Sequence, residues 1–179
     1  GASLHAVHRL DRDTTGCLIL ATQPGVFNRF VELFKRGKVL KLYHAIVQGS
    51  PPAREFAVRG ELDGHAAVTH ARVLSERNGY CHLRLRIDTG RTHQIRRHLA
   101  SVRLPLLGDP LHGRSDAASE AEMNVPRQML HAAVIEFPHP VSGARLRVES
   151  PLPWDFRAGL RRFGLTSVLA CFMAYGSAR

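Results

Sequence analysis

Alternation is cleanest between Tyr80 and Asp88, where Cys81, Leu83, Leu85 and Ile87 fall on one side and His82, Arg84, Arg86 and Asp88 on the other. A period of two with one apolar side predicts a half-buried β-strand. Leu40 to Val47 predicts a second strand, with Lys41, Tyr43, Ala45 and Val47 on one face. Cys17-Leu18-Ile19-Leu20-Ala21 predicts a short buried strand after an Asp-Thr-Thr-Gly turn, and Val134–Phe137 and Leu146–Val148 predict two more. The period changes at Phe27, Phe30, Val31 and Phe34, whose i, i+3, i+4, i+7 spacing predicts a helix that stops at Gly37. Asp88-Thr89-Gly90 signals a turn, and Thr92 to Ala100 predicts a short helix. Pro153 stands where a last helix would begin, with Phe156, Leu160 and Phe163 as its apolar stripe. Residues 109–126 predict an irregular loop around Gly113, Ser115 and Asp116.

Strands outnumber helices and do not alternate with them regularly. That favours an α+β fold with a mixed, mainly antiparallel sheet and a few flanking helices over a doubly wound one.

The chain has 179 residues, of which 44% are hydrophobic, enough for one domain with a sizeable core. Lys and Arg total 25 against 15 Asp and Glu, a formal charge of +10. A polyanion such as nucleic acid suits that balance, although a basic surface that only confers solubility would look the same. Three widely spaced cysteines, Cys17, Cys81 and Cys171, form no CxxC and no disulfide framework, as expected of a reducing cytoplasmic setting. The apolar run from Val168 to Phe172 is too short to cross a bilayer, so no membrane association is expected.

No GxGxxG, Walker-type loop, HExxH or GxSxG is present. The eleven histidines build no helix face with a nearby carboxylate, so no metal site is expected. Three segments could carry chemistry. In HRLDRDTTG, Asp11 is flanked by Arg9 and Arg12, which would hold it ionised as a nucleophile; alone, this could equally be a solvated surface turn. Lys41-Leu42-Tyr43 offers a ring for a base to stack on and a phenol to pass a proton, or simply a core tyrosine. In TGRTHQIRRH, Arg91, His93, Gln94, Arg96, Arg97 and His98 crowd a strand-to-helix turn that could bind phosphate, or form a solvated basic face.

Together these segments resemble the RluA family of pseudouridine synthases. HRLDRDTTG is similar to its HRLDxxTSG signature, KLYHAIVQG to its K-x-Y strand, and IDTGRTHQIRRHLA to its TGRTHQIRxHLA block. LPLLGDPLHG resembles the family's P-x-x-GDxxYG stretch and MLHAAVIEFPHP its LHA-x-x-L-x-F-x-HP segment, all in the family's order between about His5 and Phe163. Thr15 replaces a usual serine, His112 a common tyrosine, Leu104 a frequent His or Gly, and Arg97 adds a charge.

The resemblance implies an isomerase that converts uridine to pseudouridine in structured rRNA or tRNA, as a monomer and without cofactor. It implies Asp11 as catalytic aspartate, Tyr43 as the tyrosine packed on the target uracil, and Arg96 as the ion-pair partner of the carboxylate. Arg9 would help displace the base, with Arg91, His93 and Gln94 as further substrate contacts. The catalytic domain would span residues 1–165, leaving 166–179 an unassigned tail. The family carries a strand and a Lys-Pro-x-Gly segment ahead of HRLD, whereas seven residues precede His8 here. The sheet is therefore expected to lack its N-terminal strand and to melt lower than an upstream-extended form. Two other readings stay open: an RNA-binding module without catalysis, and a phosphate-handling hydrolase built on the Arg/His cluster.

Overall fold

The computed structural model describes residues 4–113 and 125–166. Nine strands are present among them: β1 (His5–Ala6), β2 (Thr15–Gly16), β3 (Leu20–Ala21), β4 (Leu40–Gln48), β5 (Glu55–Leu62), β6 (His65–Arg77), β7 (Tyr80–Ile87), β8 (Leu130–Pro138) and β9 (Arg145–Glu149). The helices are α1 (Pro24–Lys35), α2 (Gln94–Ser101) and α3 (Trp154–Arg162). Seven strands form one sheet in the order β2-β8-β4-β7-β6-β5, with β9 on the outer edge of β8. Only β2 runs parallel to its neighbour; the other pairs in this sheet are antiparallel. The fold is thus α+β with a mixed, mainly antiparallel sheet.

Each face of the sheet has its own core. Tyr43, Ala45, Val47, Leu83, Leu85 and Ile87 point to the face covered by Ile95 and Leu99 of α2. On the reverse face Ile46, Leu107 and Met129 pack against Phe156 and Leu160 of α3 and Phe163 just after it. Burying one such leucine or phenylalanine stabilises the fold by about 1.5–3 kcal/mol, and these two layers cover both faces of the central strands. Phe30 of α1 seals a third cluster with Val39, Ile135 and Phe137. Gly37 follows that helix at φ +62, a conformation glycine adopts without steric cost.

The hydrophobic pattern missed a long hairpin. β5 and β6 pair from Glu55↔Arg72 to Leu62↔His65 around Asp63 and Gly64, both with positive φ (55° and 74°). That is the Asp-Gly turn that suits a two-residue hairpin. The expected strand over Cys17–Ala21 is divided instead. β2 ends at Gly16, whose φ of +118 turns the chain, and β3 pairs separately with β1. Leu18 and Leu20 are 46% and 47% exposed, so this stretch is not a buried strand. The expected loop is seen at Asp109–Gly113 and Val125–Pro126; residues 114–124 and the tail from 167 onward lie outside the described residues.

Candidate active site

Asp11 sits on the loop between β1 and β2, which is shaped by a turn in which the Thr14 N–H donates to the Asp11 carbonyl at 3.0 Å. Asp13 adopts φ +66, a region its short polar side chain tolerates. At Gly16 a Cβ would lie 2.1 Å from the carbonyl oxygen of Ala132, so only glycine lets β2 approach β8 this closely. Side chains then clamp the loop from β8 and the residues before it. Gln128, which is buried, donates through Nε2 to the Arg12 carbonyl and, at 3.3 Å, to Thr14 Oγ1. Arg127 Nη1 reaches the Asp13 carbonyl at 3.2 Å. His131 Nε2 donates to the Ser150 carbonyl at 3.0 Å, which leaves Nδ1 to accept from Thr15 Oγ1 at 2.9 Å. The threonine that replaces the family's serine thus uses its hydroxyl.

Across the cleft, α2 brings Arg96 to the carboxylate. Arg96 Nη1 lies 3.6 Å from Asp11 Oδ2, with the two side chains 4% and 17% exposed. Its Nε and Nη2 donate to the two oxygens of Asp109, each at 2.7 Å. Burial alone would raise the Asp109 carboxyl; the Arg96 fork and the Leu111 and His112 amides outweigh it and hold the group below its ordinary range.

Tyr43 comes from β4, where the register with β8 shifts between Leu42 and Tyr43. Its phenol is buried, and burial followed by the nearby Asp11 charge pushes it up to about 12, so it stays neutral. Tyr43 and Asp11 line one cleft with Arg9, Thr14, Arg91 and Ile95. Arg9 and Arg91 are exposed at its rim.

Gln94 lines the same cleft, yet its amide is engaged inward. Oε1 accepts from Thr89 Oγ1 at 2.7 Å and from the Arg91 N–H at 3.1 Å, while Nε2 donates to the Val68 carbonyl at 2.9 Å. It fixes the turn that carries Arg91. His93 is not among the cleft-lining residues: it caps α2 at φ +52 and pairs with His112 at 3.0 Å. Asp109, Arg127, Gln128 and His131 were not singled out by sequence, although Asp109 and His131 lie inside motifs it had marked.

A carboxylate sheltered but not enclosed, a single guanidinium nitrogen facing it, and a neutral phenol beside it suit covalent or proton-transfer chemistry on an uncharged ring. Comparison with known proteins decides the ancestry. Residues 1–101 match the RNA pseudouridylate synthase family. This chain belongs to that family. It is 37% identical over 171 residues to ribosomal large subunit pseudouridine synthase D of Pseudomonas aeruginosa, covering 84% of this chain and 53% of the relative. The Escherichia coli (strain K12) protein of the same name is 36% identical over 170 residues, covering 83% and 52%. The chain spans about half the length of these curated relatives. Among solved structures, human RNA pseudouridylate synthase domain containing 4 superposes with a TM-score of 0.77 at 25% identity, covering 90% of this chain and 76% of that one. Human RNA pseudouridylate synthase domain containing 1 shares the fold, with a TM-score of 0.73 at 23% identity over 83% of this chain and 69% of that one.

Proposed function

We propose that this pseudouridine synthase family member isomerises uridine to pseudouridine in large-subunit ribosomal RNA, with Asp11 as its catalytic carboxylate and residues 1–165 as the catalytic unit. One observation carries the reading: Asp11 faces a spare Arg96 nitrogen at 3.6 Å in a cleft shared with Tyr43. The ribosomal substrate is drawn from the names of the curated relatives. The protein acts as a monomer in the cytoplasm; among the described residues no helix is long and apolar enough to cross a membrane.

The target base is stacked in folded RNA and must be flipped out, at a cost of a few kcal/mol. Exposed Arg9 occupies the vacated stack, and the Tyr43 ring stacks on the uracil for about 1–3 kcal/mol. Arg91 steadies the flanking phosphate, on a turn that Gln94 holds in place. The N1–C1′ bond breaks, the base turns, and C5 bonds to C1′. Asp11 stabilises or captures the sugar carbon meanwhile, and Arg96 keeps the carboxylate charged and aimed. C5 then loses a proton and N1 gains one, so the exchange balances without oxidant or reductant. A phenol pushed up to about 12 is no resident base. Tyr43 can take the C5 proton only by passing on its own, as a relay.

Release of tritium from [5-³H]uridine-labelled large-subunit rRNA, with pseudouridine mapped in the product, tests the reading. Wild type should release tritium, while Asp11→Asn should release none and bind RNA nearly as well. Turnover by purified Asp11→Asn would remove the aspartate from the chemistry. RNA binding by wild type with no release would leave a binding module.

A further inference from the structure

The third member of the Arg96 cluster lies outside the cleft. Asp109 has a side chain with 0% exposure, and it takes both in-plane donors on one edge of the guanidinium, Nε and Nη2, at 2.7 Å. Its Oδ1 also accepts from the Leu111 and His112 amides at 2.9 and 3.0 Å. The turn beneath is equally fixed. Gly108 has φ +71, and a Cβ there would lie 2.2 Å from the Arg127 carbonyl oxygen. The Asp109 carbonyl accepts from the Gly113 N–H at 3.0 Å. This carboxylate therefore has little freedom to move.

We propose that Asp109 is a positioning residue: it holds the Arg96 fork so that only Nη1 is presented to Asp11, and prevents Arg96 from closing on Asp11 with both prongs. A carboxylate gripped by both prongs has its lone pairs committed and must break that pair before acting on a sugar or base. Facing one nitrogen at 3.6 Å, Asp11 keeps an oxygen free. A counterion serving only to neutralise buried Arg96 would not need two donors on one edge and two anchoring amides. The proposal rests on the reading of Asp11 as the reacting carboxylate, because the aim of Arg96 matters only there.

The test uses Asp109→Asn and Asp109→Glu in the 179-residue chain, with Asp11→Asn for contrast. The Arg96 Nε–H resonance, identified by its loss in Arg96→Lys, reports the fork without any turnover. It should be protected from exchange in wild type and in Asp11→Asn, and lose protection in Asp109→Asn. Single-turnover tritium release from [5-³H]uridine-labelled large-subunit rRNA should fall by about 100-fold in Asp109→Asn, the loss expected of a misplacement near 1 Å, while RNA affinity holds. Asp109→Glu keeps the charge and should recover part of both signals. Wild-type protection or wild-type single-turnover rate in Asp109→Asn overturns the proposal. If that variant fails to fold, Asp109→Glu decides: slowed turnover with intact affinity supports positioning, and an unchanged rate refutes it. If wild type itself releases no tritium, the functional reading fails, while the Nε–H signal still answers for the fork.

Discussion

Arg96 and Arg127 each grip a carboxylate with a two-pronged fork, and both touch the loop that carries Asp11. Arg96 holds Asp109 at 2.7 and 2.7 Å; Arg127 holds Asp155 at 2.7 and 3.1 Å. They differ in the remaining nitrogen. Arg96 turns Nη1 toward the side chain of Asp11, whereas Arg127 turns it to the carbonyls of Asp13, Gln128 and Leu130, at 3.2, 3.0 and 3.1 Å. One fork leaves a charge available to a cleft. The other spends its last nitrogen on backbone, so that Arg127 ties the loop to β8 and, through Asp155, to the first turn of α3. The same motif thus faces a cleft carboxylate or ties down backbone according to where its last donor points.

Breaking each fork should separate those roles. On the chemical side the largest effect is loss of turnover in Asp11→Asn, with the melt nearly unchanged. Tyr43→Phe comes next: the ring still stacks, so RNA affinity should stay near wild type, while single-turnover tritium release falls 10²-fold or more, about the range for losing one proton-transfer group. An equal rate for phenylalanine would make Tyr43 a stacking platform only.

On the architectural side, Arg127→Ala leaves the Asp155 carboxylate, 12% exposed, without its charged partner and takes one donor from each of three carbonyls. Removing one member of such a pair costs about 3–5 kcal/mol. Chemical denaturation should show that loss, with RNA affinity retained by the folded fraction. A loss below about 1 kcal/mol, the range of exposed pairs, would place Arg127 among surface contacts and dissolve the contrast.

The elements that the sequence made legible are those whose signal is local. β7 alternates so regularly that its inward side chains could be named, and Phe156, Leu160 and Phe163 are buried as their spacing marks, whereas α1 packs through Val26, Phe30, Leu33 and Phe34 and leaves the marked Phe27 and Val31 outside that cluster. The β5–β6 hairpin had a local signal too, the Asp63-Gly64 pair. The signal is weak because β5 is an outer strand that buries only Val58 and Leu62, so its alternation is faint. Cys17–Ala21 misled for the opposite reason: an apolar run reads as buried, while the φ of Gly16 sends Leu18 and Leu20 outward. In the site, motif residues Asp11, Tyr43 and Arg96 do share one neighbourhood. The roles of Gln94 and Asp109 depend on partners across the fold, Val68 and Thr69 for one and Arg96 for the other, which spacing cannot reveal.

Acid should separate the two sides as well. Burial first, then neighbouring charge, pushes His44 down to about 4 and His82 to about 3, and His131 beside Arg127 is lowered in the same sense. Between pH 6.5 and about 4 the unfolded chain binds protons that the folded chain refuses, so stability falls as pH falls. His44 alone accounts for on the order of 3 kcal/mol across that window. Asp109 works lower: its folded value lies below 3.8, so its contribution persists until pH drops beneath that. The melting temperature should therefore decline from pH 6.5 to 4, and His44→Gln should flatten the decline. A flat profile in wild type would show that these histidines are accessible to protons in the folded state.

The smallest effect is expected at a third arginine, which tests whether close pairing or burial sets the strength of such an ion pair. Arg97, one residue after Arg96, places Nη1 3.0 Å from both oxygens of Asp63 at the β5–β6 turn. The partners are 31% and 61% exposed. Water and salt screen such a pair, and ordering two mobile side chains offsets much of the attraction, so it should contribute about 0.2–1 kcal/mol. A double-mutant cycle of Arg97→Ala and Asp63→Ala, read by chemical denaturation at low and at high salt, isolates that coupling. The coupling should be small and should shrink as salt rises, whereas the Arg127–Asp155 coupling, measured the same way, should stay large at both. A coupling across Arg97 and Asp63 as large and as salt-resistant as that sheltered pair would mean that close pairing, not exclusion of water, sets the strength. The contrast between Arg96 and Arg127 would then have to be drawn on distance alone.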